Sequence, residues 1–101
     1  MNDITNMLLD NGCRVWTHPR TGEERIYLNK FALKLLDIEV EYYNTGNIYK
    51  FAIGGERTSN SQGRRIMAAL DRCYYNVTED AFYAGNKDVA RLLRKAAEEA
   101  I

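Results

Sequence analysis

Residues 13–29, CRVWTHPRTGEERIYLN, constrain the fold more tightly than any other stretch. Apolar and polar side chains alternate on both sides of Pro19-Arg20-Thr21-Gly22, which has the residues of a tight turn. Period-two alternation sends successive side chains to opposite faces of an extended strand. A β-hairpin from Cys13 to Asn29 is therefore expected. If His18 pairs with Glu23, Trp16 faces Arg25 and Arg14 faces Tyr27, while Cys13, Val15 and Thr17 face Glu24, Ile26 and Leu28. The second set is mostly apolar and belongs to the core; the first then points outward. A slip of one residue would exchange the two faces.

The rest of the chain follows the same logic. Residues 3–10 form a short amphipathic helix with Ile4, Met7 and Leu8 on one side, ended by Asn11-Gly12. Residues 30–36, KFALKLL, make a short helix or turn. IEVEYY alternates as a half-buried strand, Asn44-Thr45-Gly46-Asn47 turns the chain, and IYKFAIGG returns it. In RRIMAALDRC, residues Ile66, Met67, Leu70 and Cys73 recur at helical spacing. CYYNV and DAFY read as two strands joined by Thr78-Glu79-Asp80. Asn86 caps a last helix, KDVARLLRKAAEEA, with Val89, Leu92, Leu93, Ala96 and Ala100 as its buried stripe. Arg94–Glu98 and Lys95–Glu99 are its i,i+4 pairs. Short turns between successive strands imply an antiparallel sheet. The expected fold is one small α+β domain over residues 1–101, its helices packed on one face of a mainly antiparallel sheet.

Charge bears on the partner. The 14 basic and 14 acidic side chains give a formal net charge of +0. Dedicated nucleic-acid binders are usually basic, because phosphate neutralisation dominates their affinity, and a DNA mimic would be strongly acidic. Cys13 and Cys73 lie in no CxxC, and two cysteines make no zinc site by themselves. The first residues lack the pattern of a signal peptide and no apolar run approaches the ~20 residues of a membrane span. The expected compartment is the cytoplasm, with both thiols reduced.

One stretch invites a chemical reading: GGERTSNSQGRR, residues 54–65, with paired glycines, hydroxyls, amides and three arginines. A P-loop would end in Gly-Lys-Ser/Thr, and a dinucleotide fingerprint would run GxGxxG; neither is present. Ser59 and Gln62 fit a helix capping box. A helix N-terminus also favours anions. Arg57, Arg64 and Arg65 would stand beside it, with Arg72 seven residues after Arg65 on one helix face. These four are candidates for holding a phosphate, a nucleic-acid backbone or a partner's carboxylates.

The other candidate surface is the outward hairpin face, Arg14, Trp16, Arg25 and Tyr27. Trp, Tyr and Arg dominate binding hot spots, although the same residues would also suit a face covered by a helix. The chain holds seven tyrosines, and Tyr42-Tyr43 and Tyr74-Tyr75 each send one ring inward and one outward if extended. His18, the single histidine, sits at a turn with no nucleophile placed beside it. No metal-ligand or catalytic motif occurs. No catalytic residue, metal ligand or cofactor is expected, and the chain is read as a binding protein rather than an enzyme.

The runs YYNTGNI, GGERTSNSQGRR and YYNV with AFY resemble small proteins encoded by phages and prophages, over roughly residues 14–85. That resemblance implies an inhibitor of host defence in a bacterial cytoplasm, of the anti-CRISPR type. Such an inhibitor would occupy a surface of a larger complex such as a CRISPR effector. The alternative is a small nucleic-acid-binding regulator that uses the arginine-bearing helix N-terminus and stacking tyrosines. A homodimer through an exposed sheet edge is a further possible assembly.

Overall fold

A computed structural model of the protein describes residues 2–42, 44–46, 48–57 and 70–101. The first helix, α1 (Asp3–Asp10), starts at Asn2, whose side chain accepts from Thr5 N, and stops at Gly12, whose φ is 83°. The hairpin follows as β1 (Val15–Thr17) and β2 (Glu24–Tyr27). Its register is Val15↔Ile26, Trp16↔Arg25 and Thr17↔Glu24, and His18 N donates to Glu23 O at 2.8 Å. The faces are therefore those the alternation implies.

The strands are shorter than the Cys13–Asn29 span because helix ends take both of its ends. Cys13 N donates to Leu8 O at 3.1 Å to finish α1. Asn29 caps α2 (Lys30–Leu35) by accepting from Ala32 N at 2.8 Å. Arg14 thus lies outside the ladder and is exposed, rather than paired with Tyr27. Val15 is exposed as well, although the alternation places it in the core. It belongs to β1, an outer strand of its sheet, and Thr17 and Glu24 on the same face are exposed too.

Two antiparallel sheets form, where one was expected. β3 (Ile38–Tyr42), β4 (Ile48–Ile53) and β5 (Glu56–Arg57) make one of three strands. The hairpin is joined by β6 (Tyr74–Asn76) and β7 (Ala81–Tyr83) in a four-stranded sheet ordered β1-β2-β6-β7. The inner face of the four-stranded sheet carries Ile26, Tyr75 and Phe82 in one row across β2, β6 and β7. These residues share a single core with Ile4 and Leu8 of α1, Leu36, Ile53, and the apolar stripe of α3 (Lys87–Ala100).

Asn86 caps α3 by accepting from Asp88 N and Val89 N. The buried stripe of α3 is Val89, Leu92, Leu93, Ala96 and Ala97; Ala100, the last residue of the helix, is exposed. Arg94 Nε reaches Glu98 at 2.7 Å as an i,i+4 pair, but Lys95 Nζ turns to Glu56 of β5 at 3.2 Å rather than to Glu99. A network also ties α1, β6 and α3 together. Asn2 Nδ2 donates to the Tyr75 hydroxyl at 2.8 Å, that hydroxyl donates to Asp80, and Arg94 donates to both Asp80 oxygens at 3.0 and 3.3 Å. The Tyr75 hydroxyl first, and then Arg94, hold the Asp80 carboxyl below its ordinary range. Among the described residues, no helix is long and apolar enough to cross a membrane.

Candidate functional site: the open face of the four-stranded sheet

The pleat that buries Ile26, Tyr75 and Phe82 turns their neighbours the other way. Tyr27, Tyr74 and Tyr83 are cross-strand partners in one row, with Trp16, Arg25 and Asn76 in the row beside it. The rings form a continuous strip across all four strands. Trp16 meets Tyr27 edge-on with centroids 6.0 Å apart, Tyr27 meets Tyr74 at 5.6 Å, and Tyr74 stacks on Tyr83 at 5.3 Å with an interplanar angle of 17°. His18 adds an edge contact to Trp16 at 5.4 Å. Its Nδ1 accepts from Arg20 N and Thr21 N at 3.1 and 3.3 Å, which fixes the loop that starts β2. Trp16 and Tyr27 are each 43% exposed and Tyr83 is 42% exposed. Exposed apolar patches of this kind often mark interaction sites in proteins, which makes this face the candidate site.

Arg25 holds the middle of the strip. Its guanidinium lies 4.2 Å from the Tyr74 ring centroid and 5.8 Å from that of Trp16, within cation–π range of both. Its Nε donates to Glu23 and its Nη1 donates to the Tyr27 hydroxyl at 3.3 Å. Those bonds raise the Arg25 pKa above its already high ordinary value, with Glu23 the larger cause. At the far edge the Tyr83 hydroxyl donates to Glu79, and that bond raises the Tyr83 pKa. Each exposed ring therefore has a neighbour that restricts it, which lowers the side-chain entropy that any binding on this face would cost.

Of the residues expected on this face, Trp16, Arg25 and Tyr27 are brought together, and Arg14 stands just beyond the end of β1. Tyr74 and Tyr83 complete the strip. Outward rings were expected from Tyr74-Tyr75, and Tyr74 is the outward one; Tyr83 was not singled out. The turn between β6 and β7 carried the signal: with Val77–Asp80 as the loop, Asn76↔Ala81 closes the ladder and Tyr74↔Tyr83 follows. Tyr43 lies outside the described residues.

The second expected surface resolves differently. Gly54-Gly55 is the two-residue turn of the β4–β5 hairpin, with Ile53↔Glu56 and Ala52↔Arg57 paired around it. Its φ values, 61° and 82°, are those a type I′ turn requires. The Gly54 N–H is already donated to Leu36 O and Asp37 O, both at 3.0 Å, so it is not free to cradle a phosphate. Arg57 is exposed on β5, and Arg72 is exposed in the turn after Asp71. Arg64, Arg65, Ser59, Gln62 and most of the helix expected around Ile66 and Met67 lie outside the described residues. Leu70 and Cys73 are buried. Burial pushes the Cys73 thiol up to about 11, the reverse of what an activated nucleophile needs. Among the described residues, no group of three or more His, Cys, Asp or Glu side chains is placed to hold a metal ion.

No family model matches the chain, and neither a curated protein nor a solved structure matches it.

Proposed function

We propose that this chain is a non-catalytic binding protein that holds a protein partner against the open face of its four-stranded sheet. The strip Trp16–Tyr27–Tyr74–Tyr83, pinned by Arg25, carries the reading. Such residues anchor protein interfaces because a large, rigid ring with a polar tip buries much area at little entropic cost. The likeness to phage-encoded proteins suggests the setting: an inhibitor that sits on a surface of a bacterial defence complex, a CRISPR effector among them.

An open antiparallel sheet with aromatics on adjacent strands also suits single-stranded nucleic acid, whose bases stack on such rings. Two features weigh against that use. Tyr74 is stacked on Tyr83 and has Arg25 over its ring, so bases would have to displace contacts already made. The guanidinium is neutralised by Glu23, and Glu79 adds a further negative charge, which disfavours a phosphate chain.

Two measurements test the reading. Trp16→Ala and Tyr83→Ala proteins that keep wild-type circular dichroism should each bind a purified defence complex more weakly by ~2 kcal/mol or more, about thirtyfold. Titration into labelled single- and double-stranded DNA and RNA, at low and physiological salt, should show no tight binding. Tight binding that falls steeply with salt would transfer the face, or the arginines of residues 57–72, to nucleic acid.

A further inference from the structure

At the turn end of the same sheet, between the β1–β2 and β6–β7 turns, a shallow hollow of about 340 Å³ opens, lined by Thr21, Gly22, Glu23, Asn76, Thr78 and Glu79. Every charge on its wall is negative, and its other polar groups are hydroxyls and an amide, all able to accept a hydrogen bond. Glu23 pairs with Arg25, but the charge of Glu79 meets only the neutral hydroxyl of Tyr83. Among the described residues no cation pairs with Glu79. A carboxylate offers roughly four acceptor sites, so both keep capacity for donors from outside.

Arg25 shows what this surface does with a cation of its own: it lays the guanidinium on Tyr74 and ties it to a carboxylate. A second ring and carboxylate meet at the rim of the hollow, where Glu79 of its wall accepts from the hydroxyl of the neighbouring Tyr83.

We propose, resting on the reading of this face as a protein-binding surface, that the partner presents an arginine or lysine whose cationic head enters the hollow between Glu23 and Glu79. Its aliphatic stem lies along Tyr83 and Tyr74. A guanidinium, with five donors in a planar fork, matches two carboxylates and flanking hydroxyls better than an ammonium does, so arginine is preferred. A phosphate group would meet repulsion in the same place.

Trp16 is the only tryptophan in the chain, so its fluorescence reports on the face directly. The probe is a displayed library of random dodecapeptides panned against the whole protein; recovered sequences are then synthesised and titrated while Trp16 emission is followed. Recovered peptides should be enriched in arginine and should shift the emission. Glu79→Gln should weaken them about threefold to fivefold, and Glu23→Gln with Glu79→Gln roughly tenfold or more. Citrulline in place of the peptide arginine should weaken binding by a similar factor.

Glu79→Gln leaves the turn intact, because Asn76 Oδ1 accepts from the Glu79 backbone N–H, not from its side chain. Peptides that shift Trp16 emission without basic enrichment, and that ignore Glu79→Gln, would overturn the cation site and leave the face as a binding surface. If no recovered peptide moves Trp16 emission, both readings fall. A concentration-dependent change in emission without peptide, matched by a dimer in sedimentation, would give the face to a second copy of the chain and overturn the proposal.

Discussion

Gly54 offers the sharpest test of how the three-stranded sheet packs against α3. Its φ is 61°, and a Cβ built on it would lie 2.9 Å from Ala96 Cβ and 3.4 Å from Ala96 Cα, in the buried stripe of α3. Gly55 beside it has φ 82° and open space where a Cβ would stand. Gly54→Ala and Gly55→Ala therefore share one cost and differ in another. Both place an alanine in the left-handed region, at about 1–2 kcal/mol. Only Gly54→Ala must also push the hairpin away from the helix, an overpacking cost of ~1–3 kcal/mol. Urea denaturation followed by circular dichroism should show Gly54→Ala less stable by about 2–5 kcal/mol and Gly55→Ala by about 1–2 kcal/mol, with similar m-values. Losses equal within ~0.5 kcal/mol would refute the close approach of this turn to α3. The packing of the three-stranded sheet against α3 would then lose its basis.

Two further outcomes follow from the Tyr75–Asp80–Arg94 network and the Cys73 thiol. The Asp80 pKa is depressed in the folded state. Its contribution is therefore present above the ordinary carboxylate range and is lost as pH falls through the folded value. Asp80→Asn should flatten the acid limb of a stability–pH curve, and asparagine tolerates the φ of 53° at this position; an unchanged acid limb would show that Asp80 is not linked to folding. Cys73, buried and raised to about 11, should resist a thiol reagent at pH 8 in native protein and react once urea unfolds it. Rapid native reaction would contradict its burial.

Local pattern made much of this fold legible. The hairpin register followed from alternation about Pro19–Gly22, and α3 followed from its Asn86 cap and 3.6-residue stripe, because each is decided within one short segment. Contacts distant in sequence were not legible. Pairing of β2 with β6 brings Tyr27 beside Tyr74, 47 positions further along the chain, and no local signal records it. Without that pairing the hairpin face is two strands wide; with it, the face is four strands wide and reaches Tyr83 and Glu79. The same limit explains Lys95. Spacing on α3 offers it Glu99, but β5 folds back to place Glu56 within reach. Gly54-Gly55 was ambiguous for another reason: paired glycines serve a type I′ turn and an anion loop equally well, and only the ladder on either side distinguishes them.

The face also bears on why these aromatics stand in water at all. Strand propensity would be met by threonine or valine on a solvated face, and nothing in the inner core needs Trp16 or Tyr83. Their rings are instead held by partners on the same surface: Trp16 by His18 and Tyr27, Tyr74 by Arg25 and Tyr83, and Tyr83 by Glu79. Contacts of this kind do not take the rings out of solvent; they fix where the rings point. A surface ordered before contact loses less freedom on contact, and so turns more of the buried area into affinity. It follows that loosening one holder should weaken binding through a ring the holder never exposes to the partner. Arg25→Met, which keeps an unbranched apolar stem over Tyr74 while removing the bonds to Glu23 and the Tyr27 hydroxyl, should speed dissociation of a bound partner more than it slows association. A loss confined to the association rate would mean that Arg25 steers the partner by charge and does not order the face.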